Sequence, residues 1–350
     1  MVKIAKDCIK NNSFLHGAIY WSLGTKSYNR IVKQMKDMTY VIIVDAHVGH
    51  YMMALAAVRS YKKFHNLNQI GIVIPKKYSD MAMMWKDDID EIITVDDAKD
   101  LFRLSHYLYI RKEMSIESDK RLIPYYFGNG EYGIIKWYVH KHYEFLNDNR
   151  NIDIKKFSDY DLSFSDVNVN SILRLNMGEP LSVPNIEPSE NDIKLFEELG
   201  LPKGKGILLV PSAQCARSLD VSLMKKISEK AGKMGYSVYL NAGPNEKAYD
   251  DSVKTLSLSV TQTLKAAKYM GHVIASQSGM IDVLVLARFE NIRVITYQGT
   301  EFDKRPGYFY EHQNMMLKET GLPSEIYVNV DVNADISQDD IVNKVFEGWE

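Results

Sequence analysis

Two serines, a glycine and an acid stand close together in the run Val273-Ile274-Ala275-Ser276-Gln277-Ser278-Gly279-Met280-Ile281-Asp282. Its first residues read as a buried strand, Ser276 to Gly279 as a small polar turn, and the rest as the first turn of an apolar helix. The first amides of a helix have no acceptor inside it and carry the positive end of its dipole. Ser276, Ser278, Gly279 and Met280 would therefore gather hydroxyls and free N–H groups around one point. That suits an anionic or hydroxyl-rich ligand such as a nucleotide diphosphate or a sugar. Asp282, within the helix's first turn, either favours the dipole or accepts from a sugar or ribose hydroxyl.

Other loops carry chemistry of the same kind. Asp45-Ala46-His47-Val48-Gly49-His50 puts three titratable side chains beside a glycine at a helix start. An imidazole there can take a proton from an attacking hydroxyl at neutral pH; the plainer role is to cap or solvate a turn. Pro211 to Ser218 offers Ser212 and Arg217. A guanidinium fork matches phosphate oxygens, although an arginine in a loop is as often simply solvated. Asn241-Ala242-Gly243-Pro244 adds Asn241 and Gly243 in what reads first as a turn.

These loops need elements to hold them. Tyr40–Asp45, Ile70–Pro75 and Ile89–Val95 are strand-length β-branched runs, alternating with helix patterns at Tyr51–Phe64 and Tyr78–Trp85. The alternation resumes with strands at 206–211, 237–240, 272–275 and 292–297 and helices at 189–199, 222–234, 261–270 and 281–287. Such alternation predicts α/β architecture with parallel sheets. Pro180, Pro184 and Pro188 mark a boundary and a hinge between two doubly wound halves. Residues 1–183 form an N-terminal domain with a helical extension over 1–38, broken around Gly24–Asn29. Residues 184–335 form a C-terminal domain, and 336–350 hold a last amphipathic helix, with its pattern running from Gln338 to Trp349. The aromatic segment 121–145 reads as a core helix plus loop or as a substrate-facing loop. In doubly wound folds ligands sit outside the carboxyl ends of strands, where all the candidate loops fall.

A formal net charge of -2 gives no nucleic-acid footprint. Two cysteines, Cys8 and Cys215, make no disulfide framework and fit a reducing cytoplasm. Phe14–Leu23 reads as a buried or docking helix, with loose attachment to the inner face of a membrane as the alternative. There is no G-x-G-x-x-G after the first strand of either half, no G-x-x-x-x-G-K-[ST], no H-E-x-x-H, no paired C-x-x-C and no G-x-S-x-G. Nicotinamide, P-loop, zinc and serine-hydrolase chemistries are thus disfavoured, and no metal or cofactor is expected.

Val48-Gly49-His50-Tyr51-Met52-Met53-Ala54-Leu55-Ala56-Ala57-Val58-Arg59 resembles the opening motif of the heptosyltransferase-like, family 9 glycosyltransferases. Ile89-Asp90-Glu91-Ile92-Ile93 resembles their Val-Asp-Glu-Val-Ile strand. Ser276 to Asp282 stands where the family carries Asn-Asp-Ser-Gly-Pro-Met-His, and Tyr297-Gln298-Gly299-Thr300 where it has Phe-Gly-x-Thr. The likeness covers most of 40–110 and 205–300. It implies the GT-B fold, two Rossmann-like domains facing across a cleft. It also implies transfer of a sugar from a nucleotide-diphosphate donor to a saccharide or glycan hydroxyl, inverting and metal-independent, in bacterial surface polysaccharide synthesis. On that reading His50, supported by His47 or Asp45, is the base. Ser212, Arg217, Asn241, Gly243, Ser276, Ser278, Gly279, Met280, Asp282 and Gly299 hold the donor. The family's loop aspartate is His50 here, and an acid, Asp282, stands where its histidine stood. The scaffold therefore carries over better than the chemistry, and a nucleotide-sugar epimerase or a non-catalytic partner protein stays open.

Overall fold

The computed structural model describes residues 13–44, 48–113, 121–126, 165–166, 173, 175–176, 178–213, 217–241, 253–299 and 308–349. At 13–17, 50, 109, 112–113, 126 and 308–309 it describes the backbone alone. Asp45, His47, Gly243, Cys8, Cys215 and the aromatic residues of the 121–145 segment beyond Tyr126 lie outside the described residues. The chain divides into two compact units, Met1–Ser182 and Val183–Glu350.

The first unit holds four parallel strands, β1 (Thr39–Val44), β2 (Ile70–Pro75), β3 (Glu91–Val95) and β4 (Leu122–Tyr126), in the order β3-β2-β1-β4. β2 is buried from end to end and β1 from Tyr40 onward. Continuous β-branched runs serve such strands because helices cover both faces of a parallel sheet. Helices α1 (Ser13–Val32) and α4 (Ala98–Glu113) lie against one face, where Ile31, Leu101, Leu104 and Tyr107 pack on Tyr40, Ile42 and Val73. Between β1 and β2 runs α2 (Val48–Phe64), which also packs on β1.

Three expectations are corrected here. α1 runs unbroken through Gly24–Asn29. Gly24 is a contact point: a Cβ there would lie 2.3 Å from Tyr107 Cβ and 2.6 Å from the Arg103 carbonyl oxygen. The start of the aromatic segment is strand β4, and Tyr125 is fully buried in the core, so it faces no substrate. The helix expected over 78–85 is only α3 (Ser79–Ala82) between two 3-10 turns. The Pro-rich stretch is docked at its start. Ser60 Oγ donates to the Pro180 carbonyl (2.7 Å), Ser182 Oγ to that of Ala56 (2.8 Å), and Trp85 Nε1 to that of Ser182 (3.1 Å).

The second unit opens with α5 (Glu190–Glu198), then β5 (Gly206–Val210), α6 (Val221–Lys233), β6 (Ser237–Asn241) and β7 (Lys254–Leu256). It continues with α7 (Val260–Met270), β8 (Gly271–Ser276), α8 (Gly279–Leu286), β9 (Ile292–Gln298), α9 (Tyr308–Thr320), β10 (Tyr327–Asp331) and α10 (Gln338–Val345). Its six strands are parallel, in the order β10-β9-β8-β5-β6-β7. Leu223, Ile227, Ile341 and Val345 from α6 and α10 pack on Ile207, Leu209, Ile274 and Ile295. α7 packs on β5 and β8 and against α5 and α8. Ser189, Ser259 and Ser337 each close a capping box at the start of α5, α7 and α10. The last helix stops at Val345, short of the expected Trp349, whose ring instead packs on Tyr236, His272 and Phe346. Among the described residues no helix is long and apolar enough to cross a membrane.

Candidate functional site

In the second sheet, sequence order runs outward from β5 through β6 to β7 on one side and from β8 through β9 to β10 on the other. The winding therefore reverses between β5 and β8. At such a switch point the loops leaving the two strands part and leave a crevice at their carboxyl ends. The loops there are the Arg217-bearing segment after β5 and the Ser276–Gly279 turn after β8.

The two loops are tied together. Ser276, 1 % exposed, ends β8 and donates its hydroxyl to the Arg217 carbonyl oxygen. Leu219 N–H returns to Pro211 (3.0 Å) and Ala213 N–H to Ser218 Oγ (3.3 Å), which closes the β5 loop on itself. The Arg217 guanidinium pairs with Asp220 (2.7 Å) and lies 4.7 Å over the Tyr297 ring. It remains half-exposed, so this cation is available to solvent-borne ligands. Burial raises the Tyr297 phenol's pKa and Asp220 adds to the rise, against the effect of Arg217. Ser212, two residues past the end of β5, is half-buried.

Ser278 is the N-cap of α8, yet its side chain makes no capping bond. Its hydroxyl is buried with no hydrogen-bond partner among the described residues. Serine caps normally take the N2 or N3 amide, as the three capping boxes of this unit do. Here the first-turn amides around Gly279 and Met280, both half-buried, are left uncapped by their serine.

Asp282 is not at the surface of this site. It is 8 % exposed, and its Oδ1 accepts from Gln277 Nε2 (3.2 Å) and His312 Nε2 (3.3 Å). Gln277, also buried, accepts from Thr296 Oγ1 through Oε1 (3.5 Å). Asp282 is thus part of the support behind the turn. A direct bond to a sugar hydroxyl does not fit that burial. His312, from α9, carried no motif in the sequence; only the fold brings it to a residue thirty positions earlier. The Tyr327 hydroxyl, buried without a partner among the described residues, has its pKa pushed far up by burial and then by the charge of Asp282.

The remaining candidates sit at neighbouring strand ends. Asn241 closes β6 with a buried Oδ1 that has no partner among the described residues. Gly299, at φ +76, follows β9; a Cβ there would lie 2.4 Å from Asn333 Nδ2. In the first unit the winding reverses between β1 and β4. Asp45 and His47 follow β1 in the sequence, outside the described residues, and His50 is the third residue of α2.

No protein-family model and no curated protein sequence matches this chain. Solved structures do. The ADP-heptose LPS heptosyltransferase II of E. coli matches with a TM-score of 0.56 and 13 % identity, over 89 % of this chain and 98 % of that one. A glycosyl transferase family 9 protein from Veillonella parvula DSM 2008 matches with a TM-score of 0.51 and 15 % identity, over 90 % and 93 %. Two parallel α/β units in one chain, matched along nearly the full length of both structures, make this the two-domain, Rossmann-like GT-B fold.

Proposed function

We propose that this protein is a glycosyltransferase that moves a sugar from a nucleotide-diphosphate donor to a saccharide hydroxyl, with the donor on the second unit. The observation that carries the reading is the β5/β8 switch point, where a half-exposed arginine and an uncapped helix start meet. In this reading the acceptor oxygen attacks the anomeric carbon. His50 takes the acceptor proton, and the bond from that carbon to the diphosphate oxygen breaks with inversion. Arg217 and the first amides of α8 meet the charge of the leaving diphosphate. The first unit holds the acceptor. Synthesis of a bacterial surface glycan is the setting that the fold relatives suggest.

Thermal unfolding with a panel of nucleoside diphosphates and their sugars tests the donor site. One of them should raise the midpoint, since a ligand of the folded state stabilises it. No shift with any of them removes the donor site and favours a non-catalytic protein. Donor turnover without acceptor would instead point to an epimerase. His50→Ala should cut turnover at least about a hundredfold with donor binding kept; unchanged turnover takes His50 out of the base role.

A further inference from the structure

The network behind the turn does more than fill space. A carboxylate buried in the first turn of α8 stands one helical turn behind the amides that would meet a diphosphate. Like charges so close repel each other strongly in a poorly hydrated site. An acid at 282 is therefore tolerable beside an anionic ligand only if its charge is shared, and at Oδ1 the structure supplies two donors for that. A carboxylate can only accept, so Gln277 Nε2 and His312 Nε2 must each present a proton to Asp282 Oδ1. His312 is itself mostly buried, its side chain 16 % exposed. The helix that carries it is pinned next door, where Gln313, 3 % exposed, donates to Asn329 Oδ1 of β10 (2.9 Å). Thr296 of β9 holds the far end of Gln277. Burial, and after it the charge of Asp282, raises the pKa of the Tyr327 phenol on β10.

We propose that His312 is a positioning residue for the donor site: it holds and balances the Asp282 carboxylate so that the Gln277–Gly279 turn can receive a diphosphate. This rests on the donor reading above. The imidazole touches neither sugar nor phosphate; it acts through Asp282.

A double-mutant cycle tests it by titration calorimetry, with whichever of ADP, GDP or UDP gives the largest thermal shift and with the matching nucleoside. His312→Ala should weaken the diphosphate about tenfold and leave the nucleoside unchanged. Asp282→Asn, which removes the charge, should bind the diphosphate at least as well as the unaltered protein. Combining the two should recover affinity to within about threefold. A purely structural role would not give that recovery. If His312→Ala does not fold, His312→Asn, polar but too short to reach Asp282, takes its place. The proposal is overturned by unaltered diphosphate affinity in the single variant. It is equally overturned by a double variant as weak as the single, or by nucleoside affinity falling in step. If the unaltered protein binds no nucleoside diphosphate, the donor reading fails and this inference with it.

Discussion

At the scale of single residues, the site separates side chains that can reach a ligand from side chains that hold others in place. Arg217 belongs to the first kind. Its ion pair with Asp220 is half-exposed on both sides, and such pairs contribute about 0–1 kcal/mol to stability. Arg217→Ala should therefore leave the urea midpoint almost unmoved while weakening a nucleoside diphosphate about tenfold, the order expected for a charge-assisted contact to phosphate. Equal affinity in the variant would leave Arg217 a surface cation over Tyr297. Ser276 and Asp282 belong to the second kind, and their burial marks them so. The sequence could point to the turn because Ser276, Ser278, Gly279 and Asp282 are neighbours in it. It could not separate their roles. Whether a serine caps its helix, or an acid turns inward, depends on partners such as the Arg217 carbonyl and His312 that lie 59 and 30 positions away.

At the scale of elements, the close approach of α1 and α4 at Gly24 carries the clearest energetic consequence. In Gly24→Ala the new methyl meets backbone and a Cβ, neither of which can swing aside. Overpacking of this kind costs about 1–3 kcal/mol, against about 1 kcal/mol gained by replacing a helical glycine. The net change should lower the unfolding midpoint. A Cβ at Gly232, in α6, would meet nothing within 4 Å, so Gly232→Ala should raise the midpoint, with up to about 1 kcal/mol of added stability. Opposite signs from one substitution in two helices would show that contact, not propensity, decides at Gly24. The same competition explains what could be read in advance. The buried strands β1, β2, β5, β8 and β9 announce themselves as apolar runs, because both faces are covered. Among the edge strands β3 does too, but β4, β7 and β10 do not. β4 contains Pro124, paired with Ile42 in register; a proline suits an edge, but among aromatics it reads as a loop. β7 has three residues, and β10 alternates with Asn and Asp. α4 and α9 were hidden for a different reason, since their apolar faces are interrupted by charges that neighbouring elements or solvent satisfy.

At the scale of the molecule, each unit carries its own sheet and its own core. Among the described residues, every residue of the core around Ile207, Ile227, Ile274 and Ile341 lies after Ser182, and no strand of that sheet comes from the first unit. A domain of about 150 residues buries roughly 70 % of the surface that its chain exposes when unfolded, enough to fold alone. The fragment 183–350 should accordingly unfold in one cooperative transition and bind a nucleoside diphosphate, while being unable to transfer sugar without the residues that follow β1. Its acid response is set in part by the join between its first helix and α7, where Lys265 Nζ meets Asp192 Oδ2 at 2.7 Å. Burial works to raise the Asp192 carboxyl, but the Lys265 and Ser189 hydrogen bonds outweigh it and hold its pKa below the ordinary value. The folded fragment then binds this proton less readily than the unfolded one. The contribution is complete above about pH 4 and disappears as pH falls below that, through the folded pKa. Urea midpoints between pH 7 and pH 3 should fall on the acid side, and Asp192→Asn should flatten the curve from a lower starting point. A fragment that stays unfolded at pH 7 would instead mean that the second unit needs the first to complete its core, and the donor site would have to be assigned on the whole chain.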